Sequence, residues 1–403
     1  MPLKFVFGPS GSGKSTYLYQ HVIEESEKYP LKNFIVLVPE QFTMQTQKDL
    51  VSMHPRHGIM NIDVLSFARL AYRVFEETGT KQMQVLDDEG KNLILRKIAG
   101  DYENKLTVLK GNIKKLGYIS EVKSVISEFT QYDIGEEEMD EMLDHLDEDS
   151  RLYYKLKDIR LLYEGFQDYL RERYITKEEL LDVLNSQVKE SELLKNSVVV
   201  LDGFTGFTPV QNRLILELMR CCKEVWVTVT MDERENPYAY KHPYQLFGLS
   251  KQMVTTLVRM AGEDHIEVEE PVCLYGYPVK RFEKNQELAF LERNIFRYGS
   301  GRYDKAVENL EIHAAGNPRQ EADAVAEGIR RLVRKDQYRY RDIGVIVSDM
   351  NVYGDYLEQA FENYGIPVFM DHKRSILLNS FVEYIRSLLD MAEQNFTYES
   401  VFR

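Results

Sequence analysis

Residues 8–15 read Gly-Pro-Ser-Gly-Ser-Gly-Lys-Ser, with the apolar run Leu-Lys-Phe-Val-Phe (3–7) before them and a stretch of helical character, 16–23, after them. This is the pattern G-x-x-x-x-G-K-[ST] in the strand–loop–helix setting that it requires. Backbone N–H groups of a glycine-rich turn can wrap a polyphosphate, and the start of the following helix adds its free amides and its dipole. The nucleotide-binding candidates are therefore Gly8, Ser10, Gly11, Ser12, Gly13, Lys14, Ser15 and Thr16. Lys14 is placed to reach the outer phosphates, and Ser15 to ligate a Mg²⁺ ion carried by the nucleotide. ATP with Mg²⁺ is the expected cofactor. An ordinary Gly/Ser turn is the bland alternative, and the flanking strand and helix argue against it.

Outward from this loop, short apolar strands at 4–7, 34–38 and Ile62–Leu65 alternate with helices and read as buried parallel strands. From about 85 to 190 the pattern changes: 87–99, 119–132, 152–172 and 177–185 carry 3.6-residue apolar spacing and no convincing strand. Strands return at 198–201 and 225–230, with helices at 210–219 and 247–260. A last block reads strand 310–314, helix 321–333, strand 343–347, helix 353–364, strand 368–370 and helix 381–391. Residues 298–304, with Gly299 and Gly301, are the linker candidate before it. The expected fold class is α/β. A P-loop NTPase domain (1–84 and 195–300) is interrupted by an all-helical insertion (85–194) and followed by an incomplete second α/β domain (308–403). A new helical stretch near Arg403 makes a longer protein the expectation.

The net charge of −14 argues against coating nucleic acid with the whole surface, so any such site must be a local cleft. The acidic excess peaks at 136–149, with nine carboxylates and no Lys or Arg, which reads as a solvated helix face or loop. Cys221, Cys222 and Cys273 make neither a disulfide framework nor a metal cluster, and the eight histidines have no ligand spacing. No apolar run reaches membrane-span length, and no signal peptide precedes the first strand. A reduced cytoplasmic compartment is expected.

A P-loop ATPase also needs an apolar strand ending in an Asp that serves Mg²⁺. Val198-Val199-Val200-Leu201-Asp202 supplies it. In many motors a water-activating Glu follows; here the next residue is Gly203, and Thr205, Gly206 and Phe207 offer no carboxylate. Binding is supported and hydrolysis weakened, because losing a placed general base typically costs on the order of 100-fold or more in rate.

The order of these motifs resembles superfamily 1 helicases of the UvrD/Rep type. More closely, it resembles the N-terminal part of the AddB family, the B subunits of bacterial AddAB helicase–nucleases. The segments that carry the resemblance are 5–15, Leu-Val-Pro-Glu-Gln-Phe-Thr (37–43), Val-Leu-Ser-Phe-Ala-Arg-Leu-Ala-Tyr-Arg (64–73), Leu-Asp-Gly-Phe-Thr-Gly-Phe-Thr-Pro-Val-Gln (201–211) and Tyr-Arg-Asp-Ile-Gly-Val-Ile-Val (340–347). The resemblance covers essentially all 403 residues. The resemblance implies RecA-like domains. It also implies a place in double-strand break processing and recombinational repair, with an AddA-like motor subunit as partner.

Against the D-E-x-Q-D of active UvrD-like enzymes, this chain has Gly203, Thr205 and Gly206 in place of the Glu, the Gln and the second Asp. No Arg that would neutralise transition-state charge is evident, since the run 343–347 continues to Ser348. The resemblance thus implies a degenerate motor that keeps its nucleotide cradle and scans single-stranded DNA for the Chi sequence. No catalytic residue is expected in this chain. The family's nuclease, with an iron–sulfur cluster held by four cysteines, is expected only in a far C-terminal region outside these 403 residues.

Loops at the carboxyl edge of a parallel sheet are where α/β proteins bind ligands, and single-strand sites need flat side chains beside polar ones. The resemblance suggests that Gln41, Thr43, Phe67, Arg69, Tyr72 and Phe207 line a DNA path. Plain packing for the aromatics, a surface ion pair for Arg69, and loop hydrogen bonding for Gln41 and Thr43 are the alternatives. Three other functions compete: an active DNA-dependent ATPase or helicase whose base is Glu40 or Glu233, a nucleotide-stabilised scaffold, and a small-molecule kinase. The kinase has least support, since no lid-like Arg cluster is evident.

Overall fold

The computed structural model describes residues 2–79, 84–112, 115–171, 174–297, 299, 301–370, 376 and 379–402. The chain falls into two compact units, 1–307 and 308–403. The linker candidate, 298–304, falls at the end of the first unit, shortly before the boundary at 307, with Tyr298 and Ser300 outside the described residues.

The first unit is built on a six-stranded, all-parallel sheet. In chain order the strands are β1 (Leu3–Gly8), β2 (Asn33–Leu37), β3 (Ile62–Leu65), then β6 (Ser197–Leu201), β7 (Glu224–Thr230) and β8 (Val272–Cys273), and in space they run β3-β2-β6-β7-β1-β8. The two-residue edge strand β8 is too short to leave a sequence signal. Because side chains alternate across a strand, the sheet feeds two cores. Phe5, Ile35, Val199 and Val227 face one side, while Val6, Val36, Val200 and Trp226 face the other. Helices α1 (Lys14–Lys28) and α2 (Thr43–Met53) cover the second face, and α3 (Phe67–Thr78) the first. Covering on both faces is why these strands read as unbroken apolar runs. Each fully buried Val, Leu, Ile or Phe contributes roughly 1.5–3 kcal/mol. The parallel arrangement also brings the loops after β1, β2, β3 and β6 to one edge.

The helical insertion holds α4 (Asp88–Asp101), α5 (Leu116–Gln131), α6 (Glu136–Asp144) and α7 (Arg151–Leu170) around a core of its own. A two-residue parallel pair, β4 (Gln84–Val85) with β5 (Tyr174–Ile175), closes its base, a feature that helical periodicity does not announce. Asp158 on α7 is 1 % exposed, and its carboxylate accepts hydrogen bonds from the amides of Thr107, Val108 and Leu109 and from the Thr107 hydroxyl, at 2.8–3.1 Å. Lys91 is buried and paired with Glu178 at 2.7 Å. The acidic stretch divides between the exposed face of α6 and the turn that follows Asp144. Glu136, Glu137 and Glu138 lie in the first turn of α6, where the dipole favours negative charge, and only Met139 turns inward.

Spacing alone groups residues 175–194 with the insertion, but Leu180 and Leu184 of α8 (Leu180–Gln187), Val188, and Leu194 of α9 (Glu192–Lys195) pack into the sheet's core. There they meet α10 (Pro209–Cys221) and α11 (Gly248–Glu263); α12 (Gln286–Asn294) follows β8. No helix among the described residues is long and apolar enough to cross a membrane.

The second unit centres on α13 (Pro318–Lys335) and α14 (Met350–Asn363), with Ala322, Ala326 and Ile329 packed on Leu357, Ala360 and Phe361. Two further helices, α15 (Ser380–Glu393) and α16 (Tyr398–Val401), follow. The strands expected at 310–314, 343–347 and 368–370 form no β-ladder among the described residues. Ile343, Val347 and Met370 pack on the helix pair, whereas Ile312, Ile346 and Phe369 face solvent. One covered face without ladder neighbours does not make a parallel sheet.

Candidate nucleotide site and the sheet edge beside it

β1 ends at Gly8 and α1 begins at Lys14, so 9–13 form the whole of the turn between them. The backbone is left-handed at Gly11 and Gly13, a conformation that glycine adopts without penalty. The Ser12 amide donates to Pro9 O at 3.2 Å and closes the turn. The first amides of α1 have no intrahelical acceptor, and no acidic side chain occupies its first turn, which leaves the positive end of the helix open to an anion. Lys14 Nζ bends back to donate to Gly8 O at 2.9 Å and Pro9 O at 3.0 Å. Ser12 Oγ is buried without a partner, an unsatisfied polar atom inside the cradle. Ser10, Gly11, Gly13, Lys14, Ser15 and Thr16 all line one open cleft of about 460 Å³.

Asp202, at the end of β6, is buried on the far side of this cleft. Its Oδ1 accepts from Ser15 Oγ at 3.1 Å and from Thr228 Oγ1 at 2.6 Å, and its Oδ2 from the Tyr19 hydroxyl at 2.6 Å. The Ser15–Asp202 oxygen pair is a donor set of the hard type that Mg²⁺ takes. Next to it, Gly203 has φ +80° and its amide donates to Thr228 Oγ1 at 3.3 Å. A Cβ here would have room, its nearest neighbour being Pro39 Cδ at 3.7 Å, but an L-residue would be strained by the φ itself.

Two cationic residues in the cleft have no sequence signal. Lys280 and Arg281 line it from a segment between β8 and α12. The Arg281 amide donates to Gly11 O at 3.0 Å, and the Arg281 side chain lies so close over Gly11 that a Cβ there would sit 2.8 Å from its own. The run 343–347 offers no Arg for the phosphates, since it continues to Ser348, whereas this Arg comes from the first unit. A Lys-Arg pair after Tyr-Gly-Tyr-Pro has no motif of its own, and only the fold brings it to the loop.

Burial holds the Lys14 ammonium down to about 8, against the pull of Asp202 and with a push from Arg281. Bound phosphates favour the charged form, so binding takes up a proton wherever free Lys14 is neutral. Affinity for ATP is therefore expected to fall as pH rises through 8, by about tenfold between pH 7 and 9. Titrations of a fluorescent ATP analogue at the two pH values check this, and a flat profile would contradict it.

Residues 5–292 match the sequence family described as "ADDB, N-terminal". The chain belongs to this family. Over its whole length it is 45% identical to a protein of Lachnoclostridium phytofermentans, 35% to one of Caldanaerobacter subterraneus subsp. tengcongensis and 34% to one of Clostridium kluyveri. Each of these relatives bears the name of the B subunit of an ATP-dependent helicase/deoxyribonuclease, and the chain spans 34–35% of their length.

In this AddB-family chain the side chains suggested for a DNA path divide into two groups. Gln41, Arg69 and Tyr72 face solvent, Gln41 in the single turn Glu40–Phe42 after β2 and the other two on the first turns of α3. Phe207 is half-buried. Thr43 and Phe67 turn inward instead. The Thr43 hydroxyl donates to Glu40 O at 3.0 Å and fixes the turn. The Phe67 ring, 7 % exposed, lies beneath Phe204 and Phe207 with centroids at 5.4 and 6.3 Å. Position 67 is the first residue of an amphipathic helix whose apolar face is the core face, so packing claims it. Phe42, by contrast, is 49 % exposed at the tip of the β2 loop, which its sequence context does not single out. Of the two alternative bases, Glu40 is exposed in its turn, and Glu233 is paired with Arg293 at 3.1 Å.

Proposed function

We propose that this chain is the ATP-binding, DNA-contacting part of a helicase–nuclease subunit that works in double-strand break processing, and that its cradle clamps nucleotide without driving a motor. The observation that carries this reading is the pairing of a full cradle (Lys14, Ser15, Asp202, Arg281) with Gly203 at φ +80° where a water-activating carboxylate would follow. In the proposed complex the free amides of α1, Lys14, Lys280 and Arg281 hold the phosphates, and Ser15 and Asp202 hold Mg²⁺. Bound there with the nucleotide, the metal would neutralise phosphate charge.

The sheet (1–84 and 195–300) then corresponds to a first helicase-like domain, 85–194 to its insertion, and 308–403 to the start of a second. Gln41, Phe42, Arg69, Tyr72 and Phe207 form the strand-facing edge, held up by Thr43 and Phe67, and this edge serves to scan for Chi. Translocation belongs to an AddA-like partner. The nuclease, with its iron–sulfur cluster, belongs to the remaining length that the relatives have. The cytoplasm is the compartment proposed for this work.

The test is turnover by the purified chain with and without single-stranded DNA. ATP is expected to bind, with hydrolysis at least roughly 100-fold below the 1–10³ s⁻¹ common among enzymes. Rapid strand-stimulated hydrolysis would sink the clamp reading and favour the active ATPase, with exposed Glu40 as the base to mutate next.

A further inference from the structure

Between the nucleotide cradle and the turn after β2 runs a buried chain of hydroxyls that phosphate binding alone does not require. Tyr19 lies on the second turn of α1 and Thr46 on the first turn of α2, and each is 5 % exposed. The single phenolic proton of Tyr19 goes to Asp202 Oδ2 at 2.6 Å. The 3.3 Å contact between the Tyr19 oxygen and Thr46 Oγ1 must then run the other way, with Thr46 donating.

Asp202 has two other side-chain anchors, Ser15 and Thr228. If the Ser15 hydroxyl turns its lone pair to a metal, Thr228 and Tyr19 remain. Thr228 stands within β7, in the middle of the sheet. Tyr19 instead reaches α2, whose first residue Thr43 is bonded to the turn that exposes Gln41 and Phe42.

We propose that Tyr19 is a positioning residue that ties the Asp202 carboxylate to α2, so that Mg²⁺-nucleotide in the cradle and single-stranded DNA at the turn after β2 change each other's affinity. This inference rests on the two-site reading given above. A strand that shifts the start of α2 alters the Thr46–Tyr19 link, and with it the bond that orients Asp202. In a buried setting such links polarise one another, and a broken one is costly. Linkage requires the reverse effect to have the same factor.

The test measures the affinity of a fluorescent, non-hydrolysable ATP analogue for the 403-residue chain, with Mg²⁺ or with chelator, and with or without a saturating oligothymidylate. In the wild type the strand is expected to change affinity by about fivefold or more. Thr46→Val should leave strand-free affinity and its Mg²⁺ dependence intact while the strand effect disappears. Tyr19→Phe should lose the strand effect and about tenfold of the Mg²⁺-dependent gain. Thr46→Val still decides the matter if Tyr19→Phe fails to fold. A Thr46→Val protein with the wild-type strand effect overturns the linkage. So does a wild type that binds both ligands independently, although the two sites then stand. A wild type that binds no nucleotide removes the cradle reading and the linkage together.

Discussion

Lys14→Ala weakens ATP binding by roughly 100-fold. The ammonium now donates to two loop carbonyls, Gly8 O and Pro9 O, and these bonds are expected to be exchanged for ones to phosphate oxygens, in which both partners are charged. Charge-assisted hydrogen bonds contribute about 1.5–3 kcal/mol, and about 1.4 kcal/mol is a factor of ten in affinity. The side chain is mostly desolvated, which is what lowers its proton affinity, so water offers little compensation for its loss. Arg281 and Lys280 remain in the cleft and set a floor under the effect. The measurement is ligand-induced stabilisation at an ATP concentration about 100 times the wild-type dissociation constant. The wild type should gain about 2.7 kcal/mol and the variant about 0.4 kcal/mol. An unchanged gain would mean that nucleotide binds elsewhere or not at all in this cradle.

Asp158→Ala destabilises the helical insertion by about 4 kcal/mol and leaves the nucleotide site untouched. One carboxylate satisfies three consecutive amides and a hydroxyl, and each buried donor left without a partner costs about 1–3 kcal/mol. Water entering the gap offsets part of that sum. Asp158→Asn restores little, because its amide nitrogen would face N–H groups where an acceptor is needed. Hydrogen exchange is the suitable readout, since it localises the loss: amides of 107–109 and of α7 should lose protection while β1, β6 and α1 keep theirs. Uniform loss across the unit would show instead that the insertion and the sheet unfold together.

The sequence discloses most where the physics is local. A glycine-rich turn between an apolar run and a helix names its own chemistry, and strands such as 198–201 betray a sheet covered on both faces by their lack of polar alternation. Period 3.6 also locates α4, α5 and α7, but it cannot say which core a helix joins. For that reason α8 reads as part of the insertion although Leu180 and Leu184 pack under the sheet. Arg281 is illegible for a related reason, since its role depends on β8 pairing with β1 and carrying the following segment across the loop. In the second unit, the apolar residues at 343–347 announce a strand, yet a strand exists only when a neighbour takes up its ladder. Thr43 and Phe67 show the limit at single residues: the family resemblance suggests them for a DNA path, and no spacing in the sequence tells that both side chains turn inward.

Gly203 bears on how readily this site can change its chemistry. Every glycine codon lies one nucleotide from a codon for aspartate or glutamate, so a carboxylate beside Asp202 is a single mutational step away. The obstacle is φ +80°, which costs a glutamate there about 1–3 kcal/mol before it can do anything useful. A library built at this position would be expected to enrich for Asn and Asp, the residues that tolerate a left-handed backbone, ahead of Glu. On the clamp reading proposed above, an aspartate at this position is the single-step change that meets the backbone with least strain, and a glutamate would meet it with more.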